Sequence, residues 1–322
     1  MFRRPLRYGD MRHRRMGASG LSVSRLALGT MTWGRTTDEQ EARTLLRTFL
    51  DAGGNLVDTA HGYADGASEE IIGRLVEDDV SREDLVICTK SGISRRSGQR
   101  VVDTSRHSLL SQLDLSLERM GTDHVDLWLV HTWSDDAPLS ETLSALEWAV
   151  STGRARYVGV SNFTGWQTAR ALSLLEQARV PLVANEVEYS LVNRSAEPDL
   201  LAAAQSLGFG LMPWSPLGRG VLTGKYRNGI PADSRAASRD FPRFTARYLD
   251  DRSTGIVEAL AIAAKGLEVT PAEVALAWVR DRPGVVSPVV GARTAAQLRS
   301  TLASESLELP EELVDALDEV SA

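Results

Sequence analysis

Three short apolar runs in this sequence end on side chains able to carry charge or pass a proton. One ends at Asp58, the next at Lys90 and the next at His131, and Tyr63 follows Asp58 by five residues in "NLVDTAHGYADGASEE". A carboxylate at the end of an apolar run is costly to bury without a partner, and Lys90 on the following run supplies one. If the runs are adjacent strands, about 4.8 Å apart, the three ends converge within roughly 10 Å. A free tyrosine ionises near pH ~10, and a close ammonium lowers that value. Lys90 would thereby prepare Tyr63 as a general acid, Asp58 would hold the lysine charged and in place, and His131 would direct a carbonyl oxygen toward the phenol. Each residue taken alone has an ordinary reading: a turn cap, a surface charge, a core histidine, a packing tyrosine. Their joint placement at successive strand ends favours the chemical one. The five histidines and single cysteine form no HExxH or CxxC spacing, so no metal site is expected.

The elements that must position these groups alternate in type. Eight β-rich runs are visible: "RLALGTM", "NLVDTA", "DLVICTK", "HVDLWLVH", "ARYVGVSN", "LVANEVEY", "FGLMPWS" and "VSPVVGA". Segments with apolar residues at helical spacing separate them. Asp38 is a plausible N-cap and Gly53 a stop for the first helix, and Gly153 ends the helix in "LSETLSALEWAVSTG". Repeated βα units in 322 residues close most simply into a single-domain (β/α)8 TIM barrel. A doubly wound sheet would normally carry GxGxxG in its first βα turn, which here reads "GTMTWG". Two long irregular connections, Ser91 to Asp103 and Pro216 to Asp250, are expected to cover or form the site.

Composition narrows the partners. Basic residues number 36 against 43 acidic, a net charge of −7, so neither nucleic acid nor an anionic membrane is a general partner. A small molecule held by local groups is expected instead. Cys88 lies in the apolar "LVICTK", where a small buried residue is expected. As the single cysteine it cannot form an intrachain disulfide, which fits a reducing compartment. The arginine-rich amino terminus is not followed by an apolar signal segment, so a cytoplasmic location is expected. Residues 1–16 are expected to be an extension preceding a barrel over 17–322, with Met11 itself a natural beginning. Oligomeric state is not legible.

From "GLSVSRLALGTMTWG" to "GARTAAQL" the chain resembles the aldo-keto reductases, with "DTAHGYADGASEE", "TKSG", "DLWLVH" and "GVSN" in that family's order. "PWSPLGRGVLTGKY", with "SR" following, is similar to the branch that includes potassium-channel beta subunits and bacterial sugar-aldehyde reductases. The resemblance implies a barrel that binds NADPH in extended form and reduces aldehydes or ketones, with Asp58, Tyr63, Lys90 and His131 as its catalytic tetrad. It further implies that Thr30 belongs to the cofactor site, that Ser161 and Asn162 hold the nicotinamide carboxamide, and that Trp214 stacks on the ring. Ser215, Pro216, Leu217, Gly218 and Gly220 would follow the pyrophosphate, with Lys225 and Arg235 supplying charge. Gly291, Arg293 and Gln297 would receive the adenosine end, Arg293 pairing with a 2′-phosphate through its planar fork. Two departures stand out: Glu186 replaces a common glutamine at the carboxamide, and Ser300 and Thr301 replace a frequent Glu-Asn pair at adenine. Trp33 and Trp133, each just beyond a strand end, are expected to wall the substrate pocket. Two other readings stay open under the same resemblance, a cofactor-sensing interaction protein and a narrow deoxysugar reductase.

Overall fold

The computed structural model describes residues 11–96, 98–232, 234–237 and 244–322, with the Arg96 and Arg235 side chains outside that description. All eight expected runs form parallel strands: β1 (Ala27–Gly29), β2 (Leu56–Asp58), β3 (Val86–Ser91), β4 (Val125–Val130), β5 (Ala155–Ser161), β6 (Leu182–Glu188), β7 (Gly210–Trp214) and β8 (Val289–Val290). They pair in chain order, and β8 returns to β1 to close the barrel.

Strand alternation sorts the side chains into two layers. Inside the barrel lie Leu56, Val86, Cys88, Leu127, Leu129, Ala184 and Met212, whereas Val57, Ile87, Trp128 and Val130 pack outward against the helices. The inward face of β3 reads Val86, Cys88, Lys90, so the same alternation that buries two apolar side chains drives the ammonium into the interior at the carboxyl end. The helical layer begins with α1 (Glu39–Asp51), whose expected cap is present: Asp38 accepts a hydrogen bond from the Glu41 amide. Gly53 and Gly153 both take positive φ just past their helices, as expected of terminators. Among the described residues no helix is long and apolar enough to cross a membrane.

The fold begins before the expected boundary at Gly17. His13–Arg15 pairs antiparallel with Ser22–Ser24, and Met16 and Val23, both fully buried, plug the amino-terminal end of the barrel. Residues 13–16 therefore belong to the barrel as its floor, and residues 1–10 lie outside the described part. The connection Ser91–Asp103, expected to be irregular, instead contains a hairpin of Ile93–Arg96 and Gln99–Val102.

Candidate active site

The expected convergence occurs at hydrogen-bond distance. Lys90 Nζ donates to Asp58 Oδ1 at 2.6 Å, to the Thr59 carbonyl at 3.1 Å and to Tyr63 Oη at 3.4 Å. His131, one residue past β4, presents its ring edge-on to Tyr63 with centroids 6.0 Å apart and planes at 77°. Lys90 is fully buried, so burial opposes its charge, but the carboxylates of Asp58 and Glu186 outweigh that and hold its pKa well above the usual lysine value. Burial, then the charges of Lys90 and Arg100, push His131 well below the usual histidine value, so its imidazole is neutral and can donate from one nitrogen. Its Nδ1 is buried without a hydrogen-bond partner among the described residues.

Tyr63 departs from expectation. Burial raises its pKa, and the opposing charge of Lys90 is too small to reverse the shift. Burial is the main cause, and the nearby acids Asp58 and then Glu186 add to it against Lys90. Glu186, on β6, places Oε2 3.0 Å from Lys90 Nζ, an ion-pair contact with the oxygen off the hydrogen-bond direction. One ammonium thus stands between Asp58 and a second acid, and its lowering effect on the phenol is partly offset. Glu186 itself is pushed up to about 8 by burial and by the charge of Asp58, with Lys90 acting against them.

A cavity of about 1050 Å³ opens over this cluster. Ser161, Asn162, Glu186, Trp214, Ser215, Pro216, Leu217, Gly220, Lys225, Gly291, Arg293 and Gln297 line it with Asp58, Tyr63 and His131, and Ser300 and Thr301 join the wall. Asn162, at φ 59°, ties three strand ends together. Its amide donates to the His131 carbonyl and to Ser161 Oγ, both at 3.0 Å, and accepts from the Trp214 indole at 3.0 Å. Ser161 Oγ in turn donates to the Glu186 carbonyl at 2.9 Å. Beyond Trp214 the backbone takes positive φ at Ser215, Gly218, Arg219 and Gly220, and the Gly218 and Gly220 N–H groups close tight turns onto the Ser215 and Leu217 carbonyls at 2.8 and 2.9 Å. A Cβ on Gly220 would come within 3.1 Å of Lys225 Nζ, so the missing side chain is what lets the ammonium lie over the loop. Gly218 belongs to the same turn, and Gln297 Oε1 accepts from the Arg293 amide at 3.0 Å.

Lys90 lies beneath this cavity and Gly218 within its turn without lining it, and three further expected residues are not brought into it. Thr30 is fully buried behind it, donating to the Asp58 carbonyl at 2.9 Å and accepting from Ser68 Oγ at 2.8 Å. Trp33 is fully buried in the layer between strands and helices. Trp133 packs edge-on against Phe163 and Trp166, with centroids 5.2 and 5.4 Å away. The Arg235 side chain lies outside the described part. Met31, Ile93 and Phe244 line the cavity where those tryptophans do not. A further residue, Arg219, was not anticipated. Its guanidinium forks onto Glu188 at 3.0 and 2.9 Å, donates to the Phe244 carbonyl at 2.6 Å, and lies 5.6 Å from the Trp214 ring centroid. It fastens the long loop after β7 to the end of β6. Its setting between two glycines was the only signal.

Buried acid, ammonium, phenol and neutral imidazole gathered at the carboxyl ends of a closed eight-stranded barrel define a catalytic barrel of the type whose site lies at the strand ends. The Aldo/keto reductase family model matches residues 25–322. The chain is 36% identical over 306 residues to L-glyceraldehyde 3-phosphate reductase of Escherichia coli O157:H7, covering 92% of this chain and 88% of that protein. It is 36% identical over 340 residues to Protein tas of Escherichia coli K12, covering 96% and 97%. It is 35% identical over 318 residues to a probable voltage-gated potassium channel subunit beta of Oryza sativa subsp. japonica, covering 96% of each. The chain belongs to the aldo/keto reductase family and is an oxidoreductase.

Proposed function

We propose that this protein is an NADPH-dependent reductase of aldehydes or ketones in which Tyr63 is the proton donor. The observation that carries the reading is the contact chain Asp58–Lys90–Tyr63, at 2.6 and 3.4 Å, beside a neutral His131 at the floor of one cavity. The residues present fit a nicotinamide dinucleotide. The Trp214 indole is held by Asn162 as a stacking surface, the turns after it line the cavity where a pyrophosphate would lie, and Lys225 and Arg293 supply cations along the same cavity. NADPH bound there would supply a hydride to the carbonyl carbon.

The chain's own residues do the rest. His131 donates a hydrogen bond to the carbonyl oxygen and fixes its direction toward Tyr63. As the carbon gains the hydride its oxygen becomes an alkoxide, a stronger base than a phenolate, so the Tyr63 proton moves downhill even though burial raises its pKa. Lys90 stabilises the resulting phenolate, and Asp58 keeps Lys90 aimed at it. The raised Tyr63 pKa keeps the phenol protonated through neutral pH, which suits reduction better than the reverse.

The test follows NADPH consumption with a panel of small aldehydes and ketones, in parallel with fluorescence titration of NADPH. Tyr63→Phe is expected to lose most of the reduction rate while still binding NADPH. Reduction by Tyr63→Phe at the parent rate would show that the acid is another group.

A further inference from the structure

The hairpin after β3 sets Arg95 directly opposite Arg100 in its cross-strand register. Directly opposed side chains share a face and like charges there repel, yet both arginines line the cavity above Tyr63 and His131. The hairpin is pressed against the catalytic loop: a Cβ on Gly62, the residue before Tyr63, would come within 2.9 Å of the Ile93 carbonyl oxygen. Arg100 is close enough that its charge contributes, after burial and Lys90, to depressing His131.

No acid on the cavity wall balances this pair. Among the described lining residues the carboxylates are Asp58 and Glu186, both buried at the floor and both held by Lys90. Arg95 donates to the Gly98 carbonyl at 3.3 Å, and no described carboxylate pairs with Arg100. The other lining cations are engaged elsewhere: Arg219 with Glu188, Lys225 and Arg293 along the stretch assigned to the cofactor, and Arg35 in an interaction of its own. Two guanidiniums presented together beside a carbonyl-activating tyrosine and histidine, in a chain of net charge −7, are a local anion receptor.

We propose, resting on the reductase reading above, that the substrate is a small aldehyde bearing an anionic group, phosphate or carboxylate, which Arg95 and Arg100 receive while the carbonyl lies against Tyr63 and His131. The hairpin touches the Tyr63 loop at Gly62 and the Arg100 charge acts on His131, so the receptor stands on the Tyr63 side of the cavity and short-chain aldehydes that carry the anion are the natural probes.

The experiment compares matched pairs: glyceraldehyde 3-phosphate against glyceraldehyde, and succinic semialdehyde against butanal. For the wild type, kcat/KM is expected to favour the charged member of at least one pair, and the preferred pair identifies phosphate or carboxylate. In Arg100→Gln the charged-to-neutral ratio is expected to fall about ten- to a hundred-fold, and further in the double variant with Arg95→Gln. A wild-type ratio near one, or a ratio unmoved by both substitutions, overturns the proposal. Binding gives a second readout that needs no turnover: calorimetric titration of glycerol 3-phosphate and of succinate into protein saturated with NADP⁺. At least tenfold weaker binding of one anion by the double variant supports the receptor, and equal binding of both removes it. Should the wild type reduce no aldehyde, the reductase reading fails while this titration still decides the anion site.

Discussion

Replacing Glu186 by glutamine is expected to change how stability depends on pH. In the folded chain this carboxyl is raised from its ordinary 4.5 to about 8 by burial and by Asp58, so the native state holds its proton across an interval in which the unfolded chain has lost it. Wherever the unfolded state binds fewer protons than the native one, stability falls as pH rises, by about 1.4 kcal/mol per pH unit for one proton. Across the interval from pH 4.5 to about 8 this amounts to a loss of up to about 5 kcal/mol. The groups facing Glu186 are Asp58, Cys88, Lys90 and Tyr63, and of these only Lys90 favours its ionisation. Glutamine at 186 cannot ionise, and it leaves Lys90 paired with Asp58 at 2.6 Å. The variant should therefore lack this component of the decline and gain on the wild type as pH rises. For a protein of this size about 2 °C accompanies each kcal/mol, and about 4 kcal/mol of the change falls between pH 5 and 8.5, so the difference in Tm between variant and wild type should grow by up to about 8 °C over that range. Differential scanning calorimetry of both proteins across that range is the assay. Two curves that run parallel would refute the reasoning, because they would show that Glu186 titrates alike in the folded and unfolded chains.

Lys90→Met should both abolish reduction and destabilise the barrel by about 3–5 kcal/mol, read by urea unfolding at pH 7.5, since it strips the cation from the buried Asp58 carboxylate; stability unchanged from the wild type would show that Asp58 does not depend on this cation. Arg293→Ala should weaken NADPH about ten- to a hundred-fold and NADH far less, and equal weakening in fluorescence titrations would free Arg293 from the 2′-phosphate. Because an ionised Glu186 favours a cationic ring, the wild-type preference for NADP⁺ over NADPH should rise as pH passes about 8 and stay flat in Glu186→Gln; a wild-type ratio independent of pH would place the carboxylate out of reach of the ring.

The residues legible in advance were those whose direction follows from strand alternation alone. Val86 and Cys88 are apolar and inward, so Lys90 had to be inward, and Asp58 and His131 end neighbouring strands in the same way. Glu186 shows where that logic stops. Leu182 faces the outer layer, and strict alternation from it would turn residue 186 outward as well. A bulge between Leu182 and Ala184 shifts the register by one residue, so Ala184 and Glu186 face the interior while Asn185 turns outward to the Phe163 carbonyl. Nothing in "LVANEVEY" marks that bulge, and with it goes the knowledge that the lysine serves two acids. The tryptophans failed for a related reason. A position just past a strand end says nothing of rotation, and the turn from Thr30 to Thr37 folds Trp33 under the surface. The hairpin after β3 was legible in principle, since "ISRRSGQRVV" places Ser-Gly between two β-compatible runs. A two-residue turn read at that Ser-Gly pairs Arg95 with Arg100. The two features that set this site apart, a second buried acid below and a pair of arginines above, thus both depend on register. One comes from an unmarked bulge and the other from a turn between two β-compatible runs, and together they set a second acid beside Lys90 and two cations on the wall of the same cavity.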